Sequence, residues 1–156
     1  MRTSALILGA AAAGGILLLG ALTGGATTLK PSVLSKAARR ASAIVVGRVA
    51  SAECRRSVAP SGRLRIFTDY DVRDLSVLRG SVPTRNVVLS VVGGTLDGRT
   101  LRVPGAPHLE EGARYVLLLD PAEPLCGLAG WTRGAYRVAK GPDGIDRVLT
   151  FEGRPV

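Results

Sequence analysis

Residues 64–73 constrain the fold of this chain more than any other stretch. Leu64, Ile66, Thr68, Tyr70 and Val72 fall on one side, and Arg65, Phe67, Asp69, Asp71 and Arg73 on the other. Near-strict alternation is the pattern of a half-buried strand, because successive strand side chains point to opposite faces. The apolar set then changes parity, to Leu75 and Val77. A one-residue slip turns a strand inside out, so the change predicts a bulge near Arg73 and Asp74.

Shorter strand signals surround this one. Ala43, Ile44, Val45, Val46, Arg48 and Val49 are rich in β-branched residues, with Gly47 where a strand bends. Residues 86–92 form a further run, ended by Gly93 and Gly94. Residues 100–103 form a short one, residues 115–119 an unbroken apolar one suited to a central strand, and residues 125–128 and 135–138 flank a glycine-rich turn. Turns are marked at Pro60-Ser61-Gly62 and at Gly141-Pro142-Asp143-Gly144, the latter leading into residues 145–151. Before the strands, Ser32 is placed to cap a short helix carrying Val33, Leu34, Ala37 and Ala38. The expected fold class is all-β: a small OB-like antiparallel barrel with one short N-terminal helix.

The N-terminus carries a different signal. Arg2 precedes an apolar and glycine stretch over residues 5–22, and Gly24 and Ala26 are small. Charge, apolar run and small residues, in that order, mark a signal peptide cleaved after Ala26. An uncleaved anchor is the alternative, since about 18 residues just span a bilayer. The expected organisation is 1–26 signal segment, 27–42 linker and helix, and 43–156 β-barrel domain, in a chain that is secreted or periplasmic unless the leader anchors it.

The strand sequence also carries a resemblance. It rests on Ala43-Ile44-Val45-Val46-Gly47-Arg48-Val49, on Ile66-Phe67-Thr68-Asp69-Tyr70-Asp71-Val72 running to Val77-Leu78-Arg79-Gly80, on Gly93-Gly94, and on Gly112-Ala113-Arg114-Tyr115-Val116-Leu117-Leu118-Leu119. Together these resemble a family of exported bacterial proteins without an assigned function. Their order is similar to the netrin-like, OB-type barrel of the tissue inhibitors of metalloproteinases. The resemblance covers most of residues 43–138 and implies the fold. The inhibitors' zinc-chelating N-terminal cysteine is not implied: cleavage exposes Thr27, and the first cysteine is Cys54.

Candidate chemistry is sparse. Cys54 and Cys126 are expected to pair, because an oxidising compartment favours it. The bridge would close about 73 residues, worth roughly 4 kcal/mol; two free or buried thiols are the alternative. His108, the single histidine, lies in a loop with Glu110 and Glu111, a poor zinc donor set. It has no Gly-x-Ser-x-Gly elbow to serve in a hydrolase triad. Asp69, Asp71 and Asp74 lack the looped chain of a calcium site, and Arg65 and Arg73 flank them as cross-strand charge. Gly93-Gly94 and the glycines between 127 and 134 read as turns, not phosphate cradles. Phe67, Tyr70, Tyr115, Trp131 and Tyr136 read as core and barrel-end packing in preference to a binding platform.

No cofactor and no catalytic residue is expected. The net charge of +9 favours an anionic partner, a protein or an acidic glycan. The arginines are scattered, the densest groups being Arg39–Arg40 and Arg55–Arg56, which argues against a nucleic-acid module. The expectation is an exported, non-enzymatic binding or inhibitory module. A small hydrolase using His108 and an envelope-anchored structural protein are the alternatives.

Overall fold

The structure is a computed structural model and describes residues 31–59 and 61–156. The expected signal segment, residues 27–30 and Pro60 lie outside the described residues. Among the described residues one helix, α1 (Pro31–Arg40), precedes eight strands: β1 (Ala43–Val58), β2 (Leu64–Arg79), β3 (Val87–Val92), β4 (Gly94–Leu96), β5 (Arg99–Leu101), β6 (Arg114–Leu119), β7 (Ala135–Lys140) and β8 (Asp146–Leu149). A single 3-10 turn, Trp131–Gly134, leads into β7. Pro31 opens α1, one residue before the Ser32 that the sequence marks as a cap. Proline's fixed φ suits the first helical position, where its missing N–H costs nothing.

Six strands form one antiparallel sheet in the order β3-β2-β1-β6-β7-β8, and β4 and β5 form a separate hairpin. The all-β expectation is met. Among the described residues no ladder joins the two edges, β3 and β8.

The alternation over residues 64–72 sits in β2 as expected. Thr68, Tyr70 and Val72 are buried on the core side, and so is Phe67 on the other, beneath Arg55. The bulge also forms. Val46 pairs with Ser76 and Arg48 with Arg73, so one residue of β1 faces two of β2. Asp74 takes up the extra length with φ 55, a left-handed conformation that aspartate tolerates better than most residues. Gly47 lies opposite. A Cβ there would stand 2.6 Å from both Val72 Cγ1 and Leu75 Cδ2, so the bulge closes only because position 47 has no side chain.

β6 shows why its sequence is apolar without a break. Tyr115, Leu117 and Leu119 enter the main core with Val45, Val49, Val72, Leu89 and Leu128. Leu118 and Val116 point the other way, into a smaller cluster with Ala37 and Ala41 of the α1 region and with Tyr136. The strand is covered on both faces, so neither position of the alternation is free to be polar. Arg79 fastens the helix by donating from Nη2 to Ala38 O (2.5 Å) and Ala41 O (2.9 Å), where carbonyls at a helix C-terminus lack partners.

The disulfide expectation is corrected. Cys54 and Cys126 are free thiols. The expected neighbours do not meet, because β1 pairs with β6 only from Ala43 to Arg48. By Cys54 the strand has left β6 and pairs with β2 at Thr68. Cys126 is not in a hairpin strand but in the segment after β6, buried in the main core.

Candidate functional site

The residues that the sequence singles out do not converge. His108 is exposed between two buried residues, Pro107 and Leu109, and its Nδ1 lies 3.4 Å from Tyr70 OH. Burial raises the Tyr70 phenol above its ordinary value, so that hydroxyl stays protonated and enclosed in the core. Among the described residues no group of three or more His, Cys, Asp or Glu side chains is placed to hold a metal ion. Glu110 pairs with Arg137 at 2.7 Å, and Glu111 accepts from Ala52 N at 2.9 Å. Asp69 is held by Arg55 (2.5 Å) and Ser90 (2.6 Å), and Asp71 by Arg73 (2.7 Å). Asp69 and Asp71 are therefore spent on charge pairs along the strands, and Asp74 sits in the bulge. The aromatics are dispersed too: Tyr70 and Tyr115 in the main core, Tyr136 in the cluster under α1, and Phe67 beneath Arg55.

Among the described residues two concave places are basic. The larger, about 270 Å³, is lined by Arg48, Arg114, Arg137, Lys140 and Asp146. Its cations are engaged: Arg114 and Lys140 both hold Asp146, at 2.8 and 2.7 Å, and Arg137 holds Glu110. Arg48 donates to Gly112 O at 2.5 Å.

The smaller, about 210 Å³, lies between the far ends of β1 and β2 and the β4–β5 hairpin. The chain builds it in three steps. β1 and β2 run well past the core as a two-stranded arm, paired out to Val58 and Leu64. The chain then leaves β3 through Gly93 (φ 117) and Gly94 (φ 130), conformations that glycine takes without strain. Gly94 crosses the arm so closely that a Cβ would meet Thr68 Oγ1 at 2.5 Å and Cys54 Sγ at 2.7 Å. Finally Asp97 and Gly98, both with positive φ, turn β4 back into β5, the signature of a two-residue hairpin loop.

The groove that results mixes apolar and basic side chains. Leu64, Ile66, Leu96 and Leu101 line it with Arg56, Arg65, Arg99 and Thr100. Leu64 is 58% exposed. Arg56 is fixed by Asp97 at 2.6 Å. Arg65 and Arg99 enter no ion pair among the described residues. Of these residues the sequence marks Arg56, through its pair with Arg55, and Arg65, within the alternation. It also holds an unused signal for Arg99, since Asp97-Gly98 predicts the hairpin that carries it.

These features define an all-β protein with an amphipathic, cationic groove at the end of a two-stranded arm. Protein-family models, curated proteins and solved structures were compared with the chain, and none matches it. Among the described residues no helix is long and apolar enough to cross a membrane.

Proposed function

We propose that this chain is an exported, non-enzymatic binding module that takes an anionic partner in the groove of Arg56, Arg65 and Arg99. The carrying observation is that two of these arginines stand beside exposed leucine with no carboxylate to neutralise them. In the larger basic hollow, by contrast, Arg114, Arg137 and Lys140 are each matched to a carboxylate. Free guanidinium groups beside apolar side chains favour a carboxylate, sulfate or phosphate group joined to an apolar body.

The OB-like barrel and the netrin-like resemblance belong to the same proposal. Two contacts support a closed form: Val92 N donates to Leu125 O at 2.7 Å, and Leu128 bridges to Leu119 of β6. The segment after β6 thus reaches the β3 edge of the sheet.

The test is binding of two polyanions, poly-L-glutamate and a heparin-derived oligosaccharide, to the purified protein. Affinity should fall as salt rises from about 50 to 200 mM. Arg65→Ala with Arg99→Ala should weaken binding by roughly ten-fold or more, and Lys36→Ala with Arg133→Ala should not. No binding of either polyanion, or equal losses in the two double variants, would overturn the reading.

A further inference from the structure

We infer that the occupant of this groove is an extended peptide of alternating acidic and aliphatic residues, added as a short strand against β2 at Leu64 and Arg65. The inference rests on the proposed anionic partner and names its chemistry and mode of binding.

The β2–β3 ladder ends at the pair Phe67 and Val92. One further bond follows, from Gly93 N to Ile66 O at 2.8 Å. The chain then leaves the edge to form β4, so the line that β3 followed is vacant beside Leu64 and Arg65. In an antiparallel ladder a residue turns its N–H and C=O to the same side, and alternate residues turn to the same neighbour. Ile66 bonds outward, to Gly93. Leu64, two residues away, therefore turns its own N–H and C=O toward the vacant line. An incoming strand meets one complete backbone pair there, the unit by which peptides extend a sheet edge.

The side chains of β2 set the pattern of the guest. Leu64 and Ile66 face the groove beneath β4 and β5, and Arg65 alternates between them. Residues directly opposite on neighbouring strands interact most strongly, and opposite charges favour pairing. An aliphatic residue therefore suits the place opposite Leu64, against Leu96 and Leu101, and an acidic one the place opposite Arg65. A sugar chain is a poorer fit: its C–H faces pack on aromatic rings, and no aromatic residue lines this groove. The volume of about 210 Å³ admits a few side chains of an extended segment.

The probe is an acetylated hexapeptide of alternating glutamate and valine, compared with the same peptide N-methylated at its valines. By NMR the parent peptide should move the amide resonances of Leu64 and Arg65, and N-methylation should weaken it by about ten-fold, as loss of backbone hydrogen bonds requires. Arg65→Ala should lower the affinity for glutamate–valine more than for a serine–valine control. Equal affinity of the N-methylated peptide, or shifts confined to other strands, overturns the strand-addition inference. Binding of the heparin oligosaccharide without the peptide also overturns it, yet leaves the anion-binding reading standing. If neither binds, both fall.

Discussion

Cys54 and Cys126 carry the same group into two environments. Burial pushes the Cys126 thiol up to about 11, so at pH 8 roughly one part in a thousand is thiolate, the reactive form. Cys54 is partly exposed, with Sγ 3.5 Å from Thr68 Oγ1. A disulfide-forming reagent at pH 8 should therefore titrate one thiol per native chain, Cys54, and two after denaturation. Two fast native thiols would contradict the buried position of Cys126, and none would restore the disulfide. The sign of the linkage follows from the same burial. The folded value lies above the ordinary 9.0, so stability falls as pH rises from 9 toward 11. Gly47 gives a second test at a single position. Alanine there gains up to about 1 kcal/mol by restricting the unfolded chain. It must also press on Val72 Cγ1 and Leu75 Cδ2, both at 2.6 Å. Leu75 can rotate away, but the buried, β-branched Val72 has little freedom. Overpacking therefore wins, and Gly47→Ala should cost about 1–3 kcal/mol in denaturant unfolding.

β8 differs from the central strands in having no buried residue, so its attachment to β7 leans on exposed charge. Asp143 is held below the usual carboxylate value chiefly by its hydrogen bond with Arg147, and Asp146 by Lys140 and then Arg114. For a depressed carboxylate the contribution is present above its ordinary value of 3.8 and is lost as pH falls below it. Amide exchange between pH 5 and about pH 2 should thus show β8 losing protection before β1, β2 and β6, which are also held by the buried apolar clusters. Simultaneous loss in all strands would refute this. The same contrast explains which elements the sequence reveals. β2 and β6 are readable because burial on one face or two imposes a pattern. The outer end of β1, with Arg55, Arg56 and Ser57, has no such pattern and is not legible in the sequence as strand. It is a strand because β2 pairs with it residue by residue out to Val58. The groove was hidden for that reason: Arg56 and Arg99 are far apart in sequence and meet only through this arm and the short β4–β5 hairpin.

Among the described residues the buried hydrophobic side chains form two clusters on opposite faces of one sheet. The larger joins β1, β2, β3, β6 and β7 with Leu109, Cys126 and Leu128, and the smaller is the seat of α1. Only the smaller depends on the helix. Removing residues 31–41 would uncover Leu118, Ala129 and Tyr136, now 2%, 0% and 8% exposed, and would free Arg79 from its two carbonyl partners. Re-exposing on the order of 100 Å² of apolar surface costs about 2–3 kcal/mol at roughly 25 cal/mol per Å². Losing hydrogen bonds to a charged donor adds about 1–2 kcal/mol more. The sum is below the 5–15 kcal/mol that a domain usually holds. A chain beginning at Ser42 should therefore keep its β-sheet circular dichroism and a cooperative thermal transition, displaced downward, and should retain polyanion affinity, because α1 contributes nothing to the groove lining. Non-cooperative melting of that chain would show that the main cluster cannot hold the sheet by itself. A loss of polyanion binding with cooperativity intact would place the anion site elsewhere than on the arm.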